Sequence, residues 1–174
     1  GSFPLKNTRV ELVDLPGTYN LSPDTPDQQV AEQVIASGEY DLIINVVDAT
    51  NLTRNLYLTM DLKERTNQII VLLNMLDVAE REGIKVDIER LSQDLELPVI
   101  PVVAVDKRSV RNAVEQIEQT LDHLPEHDSH VSTMEVVDTV KKYAQIDDIY
   151  SRVAHELKDR STNFTNKVDN IVMN

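Results

Sequence analysis

Up to about Leu124, short apolar runs alternate with longer amphipathic stretches. Arg9-Val10-Glu11-Leu12-Val13 alternates apolar and polar positions and stops at Asp14-Leu15-Pro16-Gly17. Three further runs are nearly all Val, Ile or Leu: residues 42–47 stop at Asp48, residues 68–73 stop at Asn74, and residues 99–103 stop near Ala104. Continuous runs of this length predict strands buried on both faces, hence a mainly parallel sheet covered by helices. Residues 2–7 predict one more strand, antiparallel to residues 9–13 across a turn at Lys6-Asn7-Thr8. Helices are expected over residues 28–37, 52–65, 88–95 and 110–121. In the last, Val110, Ala113, Val114, Ile117 and Leu121 share one face. Strands alternating with helices place the chain in the α/β class.

From His123 to Thr133 the pattern breaks into a polar linker with Pro125, three histidines and acidic residues. A helix is expected from about Thr133 to Lys158, followed by a shorter amphipathic piece over residues 165–173. This helical tail reads as separate from the α/β part. No apolar run approaches the roughly 18 residues of a membrane span.

Charge and composition narrow the field. Against 30 Asp and Glu stand 17 Lys and Arg, a formal charge of -13, which argues against nucleic-acid binding. There is no cysteine, so neither a disulfide framework nor a thiolate metal site exists. The four glycines (Gly1, Gly17, Gly38 and Gly83) are too scattered for a Gly-rich phosphate cradle.

Each buried run ends in a polar residue, and open parallel sheets bind ligands beyond the carboxyl ends of their strands. Asp14, Asp48, Asn74 and the Ala104-Val105-Asp106 turn are therefore candidates, although each alone is also an ordinary turn or helix cap. The joint spacing is more specific. Asp14-x-x-Gly17 after one strand and Asn74-x-x-Asp77 after another form the motif pair of the GTPase superfamily. A carboxylate at a strand end suits the water shell of Mg²⁺. A glycine three residues on leaves its N–H open to a terminal phosphate. Asp77 suits the N1–H and N2–H₂ donors of guanine, which adenine lacks.

The stretches around Val13–Leu21, Ile44–Leu58 and Leu73–Asp77 resemble the cytosolic GTPase domain of the ferrous iron transport protein B family. The resemblance runs from about Phe3 to Leu121 and resumes at residues 143–153 and 164–173. It implies a P-loop GTPase-type, mainly parallel sheet, incomplete at the N-terminus, with a C-terminal helical segment. Residues 1–123 would be the G domain without its first strand, phosphate loop and first switch. Residues 124–174 would be a linker and a dissociation-inhibitor-like helical segment leading toward the membrane domain. The implied ligands are GTP or GDP with Mg²⁺, the metal at Asp14. The implied nucleotide contacts are Asp14, Leu15, Pro16, Gly17, Asn74, Met75, Leu76, Asp77, Val103, Ala104 and Val105. Residues 18–27 correspond to the mobile second switch. Met75 stands where most GTPases have Lys, Ala104 where a Ser is usual, and Thr18 where a hydrolysis-promoting Gln would sit, so slow turnover is expected. The implied partners are the transporter's own permease domain and a second copy of the chain, at the cytoplasmic face of a bacterial inner membrane. A slow regulatory GTPase is one reading; a scaffold of the same transporter with little nucleotide affinity is the alternative. No Lys precedes a Ser or Thr. The preferred expectation is therefore that the chain joins pieces of a longer protein, with junctions before Phe3 and between about His123 and Met134; a truncated module is the alternative.

Three smaller features remain. His123, His127 and His130 suit a metal cluster or, more readily, a solvated loop. Asp147 and Asp148 read as a solvated helix face rather than a cation site. Tyr143, Ile146 and Tyr150 read as packing.

Overall fold

The computed structural model describes residues 1–5, 8–18, 20–22, 24–121, 123 and 139–157. Strands β1 (Ser2–Leu5) and β2 (Thr8–Glu11) form an antiparallel hairpin, with Leu5 opposite Thr8 and Ser2 opposite Glu11. Next come α1 (Pro26–Ser37), β3 (Ile43–Asp48), a 3₁₀ turn (Ala49–Asn51) and α2 (Leu52–Lys63). Then follow β4 (Ile69–Asn74), α3 (Leu76–Arg81), β5 (Ile84–Val86), α4 (Ile88–Leu95), β6 (Val99–Pro101) and α5 (Lys107–Leu121). The described chain ends with α6 (Thr139–Val153) and β7 (Ala154–Glu156).

The centre is a parallel sheet in the order β3-β4-β6, with Asp48 level with Asn74. Alternation along β4 divides the core in two. Ile69, Val71 and Leu73 pack with Leu52 and Leu56 of α2, Leu91 and Leu95 of α4, and Ile146 of α6. Ile70, on the opposite face, packs with Ile100, Ala113 and Ile117. Helices thus cover both sides, as uninterrupted apolar strands require. The one polar residue inside the β3 run, Asn45, is buried and donates to Thr59 Oγ1 of α2 at 2.8 Å.

Local chemistry sets the helix ends. Thr25 and Gln28 form a reciprocal capping box at α1, Pro26 occupies its first turn, and Gly38 closes it at φ 65°. A cap of this kind contributes about 1 kcal/mol. Asp87 caps α4 by accepting the Arg90 N–H at 2.9 Å.

The C-terminal region departs most from expectation. Its helix stops at Val153, not at residue 158, because the next three residues pair with β5, Ala154 opposite Val86 and Glu156 opposite Ile84. The Asp87 N–H to Val153 O and Leu157 N–H to Gly83 O bonds close both ends of that pairing. Far from standing apart, α6 buries Ile146, Ile149 and Val153 against the main core. Two charged groups fix it. Lys142 reaches Asp61 of α2 and Glu64 just beyond its end, and Arg152 joins Asp94 of α4 to Asp148 one turn back. The short elements α3 and β5 carried no periodic signal, and β2, α2 and β6 end about two residues before the positions expected for them. The linker expected over residues 124–133 and the amphipathic piece expected at 165–173 lie outside the described residues. No described helix is long and apolar enough to cross a membrane.

Candidate functional site

Asn74 ends β4, and its Oδ1 accepts the Ala104 N–H from the next strand's loop at 3.2 Å. One residue, Met75, makes the whole turn into α3, with φ at 63°. A non-glycine residue there carries strain of about 1–3 kcal/mol, which is commonest where a site over-determines the backbone. Leu76 packs on the core, and Asp77 lies exposed in the first turn of α3. The Asp77 carboxylate faces Arg81, with Nη2 3.1 Å from Oδ2. Both groups are largely solvated, so the pair contributes little and a ligand can replace it readily.

The loop after β6 is tied down residue by residue. Val102 N–H donates to Leu73 O at 2.9 Å, Val103 N–H to Ser109 Oγ at 2.8 Å, and Asp106 N–H to Val103 O at 2.9 Å. Asp106 in turn accepts the Arg108 N–H at 2.9 Å. With the 103, 104 and 106 amides occupied, the Val105 N–H stands without a partner among the described residues, on a side chain 93% exposed. The loop therefore offers one donor to a ligand placed over Asn74. Ser109 is a positioning residue that the sequence reading missed. Its signal was a hydroxyl in the opening turn of a helix whose preceding loop ends in a capping Asp.

Asp14, Leu15, Pro16 and Gly17 follow the β1–β2 hairpin. Leu15 packs against the main core, whereas Asp14 is exposed and makes no hydrogen bond or ion pair among the described residues. Gly17 is instructive by contrast with Gly38 and Gly83. Gly38 and Gly83 have φ of 65° and 86°, values that favour glycine. Gly17 has no positive φ, and a Cβ there meets no atom of the described residues within 4 Å. Nothing among the described residues calls for glycine at this position, and close approach of a ligand would. Beyond it, Thr18 Oγ1 donates to Asn20 O, and Asn20 Oδ1 accepts both Ser22 N–H and Gln28 Nε2. Leu21 is buried, and its N–H reaches Asp61 Oδ2 at 3.0 Å.

The structure thus joins Asn74 directly to Ala104, with Asp77 in the adjoining turn. No described bond or ion pair links Asp14–Gly17 to that group. Asp48 behaves as a cap, its Oδ1 accepting the Thr50 N–H and hydroxyl, each at 2.8 Å. His127 and His130 lie outside the described residues. His123 is exposed, and no cluster of three potential metal ligands occurs among the described residues. Asp148 pairs with Arg152, while Ile146 is core and Tyr143 stacks obliquely on Tyr57 at 4.9 Å.

Residues 1–117 match the model of the family described as ferrous iron transport protein B. The Fe(2+) transporter FeoB of Escherichia coli strain K12 is 50% identical over 114 residues, which are 63% of this chain and 15% of that protein. The chain therefore spans a minor part of the relatives it matches. Among solved structures, the cytosolic domain of L. pneumophila FeoB is 29% identical, with a TM-score of 0.72, covering 90% of this chain and 83% of that one. A point mutant of S. thermophilus NFeoB bound to GDP is 26% identical, with a TM-score of 0.63, covering 82% and 80%. The α/β fold is that of these cytosolic domains.

Proposed function

The chain belongs to the family of ferrous iron transport protein B, and from that premise we propose that it is the guanine-nucleotide-binding part of a bacterial ferrous iron transporter. Residues 1–123 carry the nucleotide, and residues 124–174 lead toward a permease domain, at the cytoplasmic face of the inner membrane. The observation that carries this reading is the Asn74 Oδ1 to Ala104 N–H bond, which joins the two strand-end loops beside Asp77. A carboxylate at Asp77 accepts the N1–H and N2–H₂ of guanine, while the open Val105 N–H donates to its O6. Adenine has an acceptor at N1 and a donor at C6, so it reverses the polarity of both contacts. The relative bound to GDP supports the same ligand class.

On the phosphate side, the exposed Asp14 carboxylate suits the hydrated shell of Mg²⁺, and Gly17 leaves its backbone open to the terminal phosphate. Mg²⁺ bound there supplies charge neutralisation on the phosphate oxygens. Thr18, bonded within its own turn, offers no carboxamide to orient water, so hydrolysis is slow and the domain acts as a regulator of iron uptake.

The test uses the base end alone. GMP and AMP are titrated into the ¹⁵N-labelled chain. Selective shifts of the Asp77, Ala104 and Val105 amides with GMP, lost in Asp77→Ala, are expected. Equal responses to the two nucleotides, or a response that survives Asp77→Ala, would overturn the guanine assignment.

A further inference from the structure

The segment that follows Gly17 and the C-terminal helix converge on one carboxylate. Asp61 of α2 accepts the Leu21 N–H through Oδ2 at 3.0 Å and Lys142 Nζ of α6 through Oδ1 at 2.5 Å. The donors come from positions 40 residues before and 81 residues after it. All three groups are buried: Leu21 is 1% exposed, Asp61 8% and Lys142 5%. Lys142 has a second acceptor in Glu64, 3.0 Å away, and lies 5.3 Å from the centre of the Tyr57 ring.

The two oxygens of one carboxylate move together. A rotation that follows a displaced Lys142 withdraws the other oxygen from Leu21, and the reverse holds equally. Neither bond can be given up cheaply, because an unpaired charge or amide in a buried place has no water to turn to. Glu64, more exposed, serves Lys142 alone among the described residues.

We propose that Asp61 is a positioning residue that couples the segment after Asp14–Gly17 to α6. Seating Lys142 holds the carboxylate where it captures Leu21, and pulling Leu21 away loosens α6. Leu21 lies four residues beyond Gly17, so a phosphate-driven shift of that backbone reaches α6 by this route. That consequence rests on the nucleotide reading above; the coupling itself does not.

Amide hydrogen exchange of the nucleotide-free chain separates the two. Lys142→Met is expected to speed exchange of α6 and, at least tenfold, of the Leu21 amide. Arg152→Ala loosens the same helix at its other end without touching Asp61, and should leave Leu21 protected. In an Asp61→Asn background, where the amide oxygen still accepts Leu21 but the charge pair is gone, adding Lys142→Met should have no further effect on Leu21. The coupling is overturned if Lys142→Met loosens α6 and spares Leu21. It is equally overturned if Arg152→Ala moves Leu21 as much, or if Lys142→Met acts undiminished in the Asp61→Asn background. Lys142→Gln, which keeps a polar donor, substitutes if the Met variant does not fold, with the same outcomes. Subsequent addition of GDP reports on the nucleotide reading alone: absence of any response would sink that reading and leave the coupling result intact.

Discussion

The base-side loops and the Asp14–Gly17 segment are built in opposite ways. Asn74, Asp77 and Val103–Val105 leave the ends of strands packed into a two-sided core. Their backbone is pinned by Asn74, Ser109 and Asp106. The Asp14–Gly17 segment leaves a hairpin that pairs only with itself among the described residues, and Leu12 and Val13 beside it are more than half exposed. Leu15 packs it against the main core, and the Leu21 N–H bond to Asp61 holds it from downstream. One side is therefore pinned by the sheet, whereas the other shares its downstream anchor, Asp61, with α6. On the proposed function, rigid recognition of a base and a movable response to a phosphate would call for that division of labour.

The sharpest way to break the contrast is to remove the downstream hold. Lys142→Met strands the Asp61 carboxylate in a buried place, and unpairing such a charge costs about 3–5 kcal/mol. Urea denaturation should show a loss of that size. A pH signature accompanies it. Burial alone would lower the Lys142 pKa, but the hydrogen bonds and charges of Asp61 and Glu64 outweigh it and raise it above the ordinary value of 10.5. Its contribution is thus fully present below that ordinary value and is lost as pH rises through the raised one. The stability difference between wild type and Lys142→Met should shrink in that alkaline window. A constant difference would show that the ion pair is not its source.

The next test compares the two regions directly. Leu73→Ala removes a fully buried side chain next to Asn74 and should cost about 2–5 kcal/mol. Leu12→Ala, on a side chain 51% exposed, should stay within about 0.5 kcal/mol. Similar losses at the two positions would mean that the hairpin is more tightly integrated than its contacts indicate. Ser109→Ala comes third. It leaves the part-buried Val103 N–H without its acceptor, an effect of about 1–3 kcal/mol. Faster amide exchange should appear at residues 103–105 and not at Leu21.

How far the sequence led follows the same division. The runs at 42–47, 68–73 and 99–103 are legible because burial on both faces forces continuous Val, Ile and Leu. Of the residues that end them, Asn74 is bonded to the Ala104 loop, whereas Asp48 serves as a cap. The short α3 and β5 were illegible, since three to six residues carry too little periodicity to distinguish a turn from an element. The docking of α6 was illegible for another reason. Its sequence shows an apolar face but not what that face meets, and the tie between Lys142 and Asp61 spans 81 residues. Ser109 was missed because a hydroxyl's partner depends on the folded loop.

At Gly17 no loss of stability is expected, and the position separates fold from function most cleanly. Gly17→Ala places a methyl group where no atom of the described residues lies within 4 Å, on a backbone without a positive φ. Removing glycine's unfolded-state freedom favours the variant by about 0.4–1 kcal/mol at compatible sites. Denaturation should therefore show no loss. If the glycine serves the phosphate, the same methyl group stands in the ligand's path, and a protein of this family carrying it should lose affinity for the triphosphate more than for GMP. A destabilised Gly17→Ala chain would instead assign the glycine to the fold and remove the strongest sign of a ligand on this side.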